Sequence, residues 1–162
     1  MKTATVKQLR EELNNRSHKE LLDLCLRLSR FKKENKELLT YLLFEAPDEE
    51  SYIEGVKKEM DDAFQQINTK SYYYINKSIR KILRRIKTYI RYSLKKETEI
   101  DLLIYFCRKI QKFPHTNSTS LHNLYYRQLA LIKKKVSTLH EDLQYDYGIE
   151  LEEIERLNIH IY

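Results

Sequence analysis

The stretch KSYYYINKSIRKILRRIKTYIRYSLKK, Lys70 to Lys96, decides how the rest of the chain is read. At 100° per residue, Ile75, Ile79, Ile82, Ile86 and Ile90 fall within an arc of roughly 80°, with Leu83 and Leu94 at its edge. Lys77, Arg80, Arg84, Lys87, Arg91 and Lys95 fall in another arc of roughly 80° on the opposite side, with Tyr73 along it and Tyr74 and Tyr92 at its border. Nothing in the run breaks a helix, so the pattern predicts a helix over about 71–97, roughly 40 Å long. Such a helix docks by its isoleucines and turns a basic stripe to solvent.

Outward from this helix the pattern stays helical. Gly and Pro number two each in 162 residues, so few places force a helix to stop. Toward the N-terminus, Thr3 or Thr5 opens a short helix through Leu13, and Ser17 with Glu20 forms a capping box for a second. Leu21, Leu24, Cys25, Leu28 and Phe31 give that second helix a face expected in the core. Lys32 to Glu37 reads as a turn, and Leu38, Leu39, Leu42 and Leu43 as a short third helix ended by Pro47. Asp48 to Glu50 suit the start of a fourth, striped by Tyr52, Ile53, Val56, Met60 and Phe64.

Beyond the long helix, Thr98 reads as the cap of a sixth, bearing Leu102, Leu103, Phe106 and Ile110. Pro114 to Ser120 is a loop. A seventh helix carries Leu121, Leu124, Leu129, Ile132, Val136 and Leu139. Gly148 marks a break before a short last helix, Leu151 to Leu157. The expected fold is all-α: one domain over 1–162, an antiparallel bundle or a short array of helical hairpins with seven or eight helices.

Lys7 to Phe44, KQLREELNNRSHKELLDLCLRLSRFKKENKELLTYLLF, followed by PDEE, resembles the opening of a family of small all-helical bacterial proteins, a domain of unknown function. The shared pattern is K-x-L-x-x-E-L, then S/D-K-E-x-L-x-x-L, then N-K-E and P-D-E, through residue 50. The 76–110 region, NKSIRKILRRIKTY through IDLLIYFCRKI, is also similar. The resemblance implies a helical fold and a bacterial cytoplasmic origin, and carries no site residues.

Charge is unevenly distributed. Residues 1–69 hold 12 Lys/Arg and 14 Asp/Glu, residues 70–135 hold 17 and 3, and residues 136–162 hold 1 and 7. A strongly basic middle therefore lies between acidic ends. Spaced Arg and Lys neutralise backbone phosphates by counterion release, and tyrosines among them can stack on bases. The competing reading pairs the stripe with the protein's own acids in 45–62 and 141–155.

Chemistry-bearing motifs are sparse. His18, His115, His122, His140 and His160 include no i, i+4 pair and no E-x-x-H pair, so no metal site is expected. Cys25 and Cys107 sit in apolar runs and read as buried free thiols. Gly148 alone offers no glycine-rich phosphate cradle. Asp61–Asp62 and Glu152–Glu153 are sequence neighbours that diverge around their helices. The thirteen tyrosines read as core-rim or interface residues. No apolar run reaches the ~20 residues of a membrane span, and no signal peptide opens the chain, so a cytoplasmic, non-membrane protein is expected.

No catalytic, cofactor-binding or metal residue is therefore assigned. The leading expectation is a non-enzymatic helical module that binds an acidic protein partner or a second copy of itself. The alternative is a nucleic-acid- or polyanion-binding accessory protein using Lys77, Arg80, Arg84, Lys87, Arg91, Lys95 and Tyr73. The two separate on whether acids of the chain cover the stripe.

Overall fold

The computed structural model describes residues 1–114 and 117–156. Among them are eight α-helices: α1 (Val6–Asn14), α2 (His18–Phe31), α3 (Lys33–Thr40), α4 (Glu49–Gln65), α5 (Tyr72–Ser93), α6 (Lys96–Lys112), α7 (Thr119–Val136) and α8 (Glu141–Arg156). The described residues contain no strand. The chain is all-α, as its spacing requires. His115, His160 and the expected last turn at Leu157 lie outside the described residues.

Packing divides the chain into two compact units, residues 1–44 and the remainder from Glu45. In the second unit the cross-helix contacts fix an up-and-down order. Glu49 meets Ser93, Tyr52 donates its hydroxyl to the Tyr89 carbonyl at 3.0 Å, and Glu59 meets Arg85, so α4 and α5 are antiparallel. Glu49 also accepts from Thr98 at 2.6 Å, and Asp61 pairs with Lys109 at 2.9 Å, so α6 runs with α4. Glu99 pairs with Lys135 and Gln111 donates to the Tyr125 hydroxyl, so α7 is antiparallel to α6. Tyr147 donates to Asp101 at 2.9 Å, and Glu150 holds Arg108 at 3.0 Å, placing α8 parallel to α6.

α6 is the centre. It packs against α4, α5, α7 and α8. Thr98, Ile100, Leu102, Leu103, Ile104, Phe106, Cys107 and Ile110 are all buried, covering roughly two-thirds of its circumference. Burial pushes the Cys107 thiol up to about 12, so it acts as a small hydrophobe. From α5, Ile75, Ile79, Ile82, Leu83, Ile86 and Ile90 are buried, which is the face its periodicity assigned to the core.

Several boundaries differ from the sequence pattern. α5 does not continue to 97. It stops at Ser93, because Leu94 adopts a left-handed conformation at φ 59° and its N–H closes on the Ile90 carbonyl. α6 then starts at Lys96, so Thr98 is a buried first-turn residue bonded to Glu49 rather than a cap. Tyr92, expected beside the solvent stripe, is buried. Gly148 does not break α8, since one glycine costs a helix only about 1 kcal/mol relative to alanine. Leu139 lies just past the end of α7. The turn expected over Lys32–Glu37 shrinks to one extended residue, Lys32, and α3 begins at once.

In the first unit, both short helices begin as the sequence requires. Thr5 and Gln8 form one capping box, and Ser17 and Glu20 another. The expected core face of α2 is not buried. Leu28 is 61% exposed and Cys25 is also exposed. Within this unit α2 packs against α3, whose 8 residues are too short to cover a 14-residue helix. Spacing shows that a face is apolar, not that a partner is present to cover it.

Three consequences are measurable. Ile86→Ala should cost about 2–5 kcal/mol in denaturant unfolding, whereas Arg84→Ala, exposed on the opposite face, should cost under about 1 kcal/mol. Leu94→Gly should stabilise the protein by up to about 1 kcal/mol, because glycine relieves the left-handed penalty and the 83% exposed leucine loses no packing. The third concerns alkaline pH. Burial, together with the Asp61 carboxylate, pushes the Tyr105 phenol up to about 12, and burial raises Tyr89, Tyr125 and Tyr147 as well. Their folded-state pKa values exceed the unfolded value, so the stability they confer is complete below pH ~10 and lost as pH rises through the folded values. Tyrosinate absorbance should show this group titrating late and together with unfolding, after the exposed tyrosines.

Candidate functional site

The site the sequence singles out is the outer face of α5. Its 22 residues make a rod about 33 Å long. Because α5 docks on α4 and α6 through its isoleucines, the opposite face must point outward, and it does. Lys77, Arg80, Arg84, Lys87 and Arg91 are all exposed, and Tyr73 is 68% exposed. They recur every three or four residues, a rise of about 4.5–6 Å, and with Tyr73 they span about 27 Å. Lys81, also exposed, flanks the line; the sequence reading omitted it because it lies just outside the arc.

Lys95 does not belong to the line. The left-handed turn at Leu94 carries it off α5, and its ammonium pairs with Glu49 at 3.0 Å. On α5 itself, Arg85 faces α4 and meets an acid. It lies 3.4 Å from Glu59 and 4.4 Å over the Tyr89 ring. The basic side chains of α5 thus separate into those turned to α4 and those turned outward.

For Lys77, Arg80, Arg84 and Lys87, the ion-paired acids among the described residues are turned elsewhere. In α8, Glu150 and Glu153 pair with Arg108 of α6, Glu155 with Lys133 of α7, and Glu152 with Arg156 of its own helix. In α4, Glu49, Glu54, Glu59 and Asp61 pair with Lys95, Lys57, Arg85 and Lys109. Burial works to raise the Asp61 carboxyl, but the Lys109 and Tyr105 contacts outweigh it and hold the carboxyl below its ordinary value. Among the described residues, none of Lys77, Arg80, Arg84 and Lys87 forms an ion pair. Their nearest fixed contacts are neutral. Arg80 donates to the Ser120 hydroxyl at 2.6 Å, and Lys77 sits 6.0 Å from the Tyr73 ring centroid. Asn76 donates to Ser118 at 3.1 Å, so the start of α7 lies beside the same end of α5.

Tyr72, Tyr73 and Tyr74 are exposed at the start of α5, and the Tyr73 and Tyr74 rings meet edge to face at 5.4 Å between centroids. The remaining tyrosines divide. Tyr125 is buried and hydrogen-bonded, whereas Tyr126 and Tyr145 are exposed. A cleft of about 310 Å³ lies between α6 and α8, and its one acid, Glu153, is held by Arg108. Among the described residues no three His, Cys, Asp or Glu side chains come together to hold a metal, and no helix is long and apolar enough to cross a membrane.

No protein-family model, curated protein or solved structure matches this chain.

Proposed function

We propose that this protein is a non-enzymatic helical interaction module whose α5 stripe binds the phosphates of a nucleic acid. The observation that carries the reading is that Lys77, Arg80, Arg84 and Lys87 stand in line and, among the described residues, form no ion pair. Of the acids in 45–62 and 141–155 that could neutralise the stripe, Glu59, Glu150, Glu153 and Glu155 pair instead with Arg85, Arg108 and Lys133. A straight row of cations at short, regular intervals suits a strand of regularly spaced phosphates better than the compact acidic patch of a folded protein. Guanidinium groups add bidentate contacts to phosphate oxygens. Exposed Tyr73 at the end of the row is placed to stack on a base.

Binding of labelled single- and double-stranded oligonucleotides tests this by anisotropy over a salt series. Four or five engaged cations predict a log–log slope of roughly −3 to −4.5. Arg84→Glu with Lys87→Glu should lower affinity at least tenfold, with helix content and melting temperature unchanged. Lys95→Glu should do far less, because Lys95 lies off the row. Polyglutamate binding as tightly as the oligonucleotides, with the same response to Arg84→Glu, would replace nucleic acid by an acidic protein. A flat salt response would remove the stripe from function altogether.

A further inference from the structure

Residues 1–44 carry a different surface. None of α1, α2 and α3 contains a buried residue, and Tyr41 is the one buried side chain in the unit. Twelve large apolar residues between Val6 and Phe44 are exposed, among them Leu24 at 39%, Leu28 at 61% and Phe31 at 77%. Those of the described residues beyond Glu45 are mostly tyrosines, whose hydroxyls tolerate water; the aliphatic ones are Leu94 and Ile149. Soluble proteins rarely leave so dense an aliphatic surface unused.

We infer that this surface is the interface between two copies of the chain, with α2 packed antiparallel on α2 across a two-fold axis. Three observations lead there. The first is the seam. Leu21, Leu24, Leu28 and Phe31 recur at the three-four-three spacing by which helices pair, and Leu22 and Leu26 widen the apolar arc. The second is area. Five of the twelve exposed side chains lie on α2, and with those of α1, α3 and residues 42–44 that flank it in sequence they present apolar surface on the order of 1,000 Å², comparable with the ~800 Å² per partner of a standard interface.

The third is charge. The first half of α2 carries Glu20 and Asp23 beside Lys19, and its second half carries Arg27 and Arg30. A parallel pair sets like against like. An antiparallel pair sets each acidic half against a basic half and also opposes the helix dipoles. The segment is thus complementary to itself. Three short helices that bury almost nothing of their own gain from association what a core would otherwise supply.

The two-fold also gives a covalent reporter. A seam running from Leu21 to Phe31 is centred beside Cys25, which is exposed, so Cys25 lies near its own copy while Cys107 is buried.

Sedimentation equilibrium of the full chain, with thiol crosslinking, tests the assignment. The wild type should sediment at twice the mass of the chain. Leu24→Asp with Leu28→Asp should return it to the monomer, with the melting of the second unit retained. Arg27→Glu with Arg30→Glu, which leaves the seam intact, should weaken the dimer at least tenfold and restore salt sensitivity of the opposite sign. A bismaleimide should yield a dimer band that Cys25→Ser abolishes and Cys107→Ser preserves. A wild type that stays monomeric at 100-fold dilution below and at the highest soluble concentration would overturn the inference and leave the face to a different protein. A dimer indifferent to both α2 variants would overturn it equally. Neither result bears on the oligonucleotide measurements, which read the α5 stripe.

Discussion

A helix that is apolar around most of its circumference is stable in water only when other helices surround it. α6 is such a helix, and the order of the second unit follows from enclosing it. Its neighbours in sequence, α5 and α7, take two sides, and α4 and α8 close the others. Each enclosing helix needs only one apolar face, and the buried residues of α4 and α7 lie on one side of each helix, whereas those of α6 go most of the way round. Their other faces are free to be polar, and the basic stripe is one of those faces.

The polar contacts at the edges of this arrangement fix orientation rather than supply the bulk of its stability. Glu49 receives the Thr98 hydroxyl and the Lys95 ammonium at the point where α4, α5 and α6 meet. Tyr52, Tyr105 and Tyr147 each send a hydroxyl to a carbonyl or carboxylate on a neighbouring helix. Asp101 shows the cost of such a bond. Burial holds its carboxyl above the ordinary value even though Tyr147 works in the opposite direction. Acids engaged in these joints are unavailable to the outer face of α5.

Periodicity made the fold class, the capping boxes and the inner face of α5 legible, because each depends on residues a few positions apart. Ser17 with Glu20 is such a local arrangement, and so is the run of isoleucines from Ile75 to Ile90. What the sequence did not disclose were features settled at a distance. The end of α5 rests on an exposed leucine in the left-handed conformation, where the usual signal would be glycine. That single residue moved Lys95 off the candidate site. The pairing of the α8 acids with Arg108 and Lys133 is likewise a matter of which helices meet, which composition alone leaves open. Leu28 and Cys25 mark the same limit, since an apolar face records a need for cover and not its source.

The central position of α6 has a consequence for synthesis. The α4–α5 hairpin leaves the ribosome complete, yet the helix that covers its inner face comes next. At roughly 5–20 residues per second, the 17 residues of α6 take about one to three seconds to appear. During that interval the sides of α4 and α5 that pack on α6 in the finished molecule have no cover. The same hairpin carries on its outer side the densest positive charge in the chain. Synthesis thus leaves the inner side of the hairpin waiting for α6, while its basic outer side needs no cover.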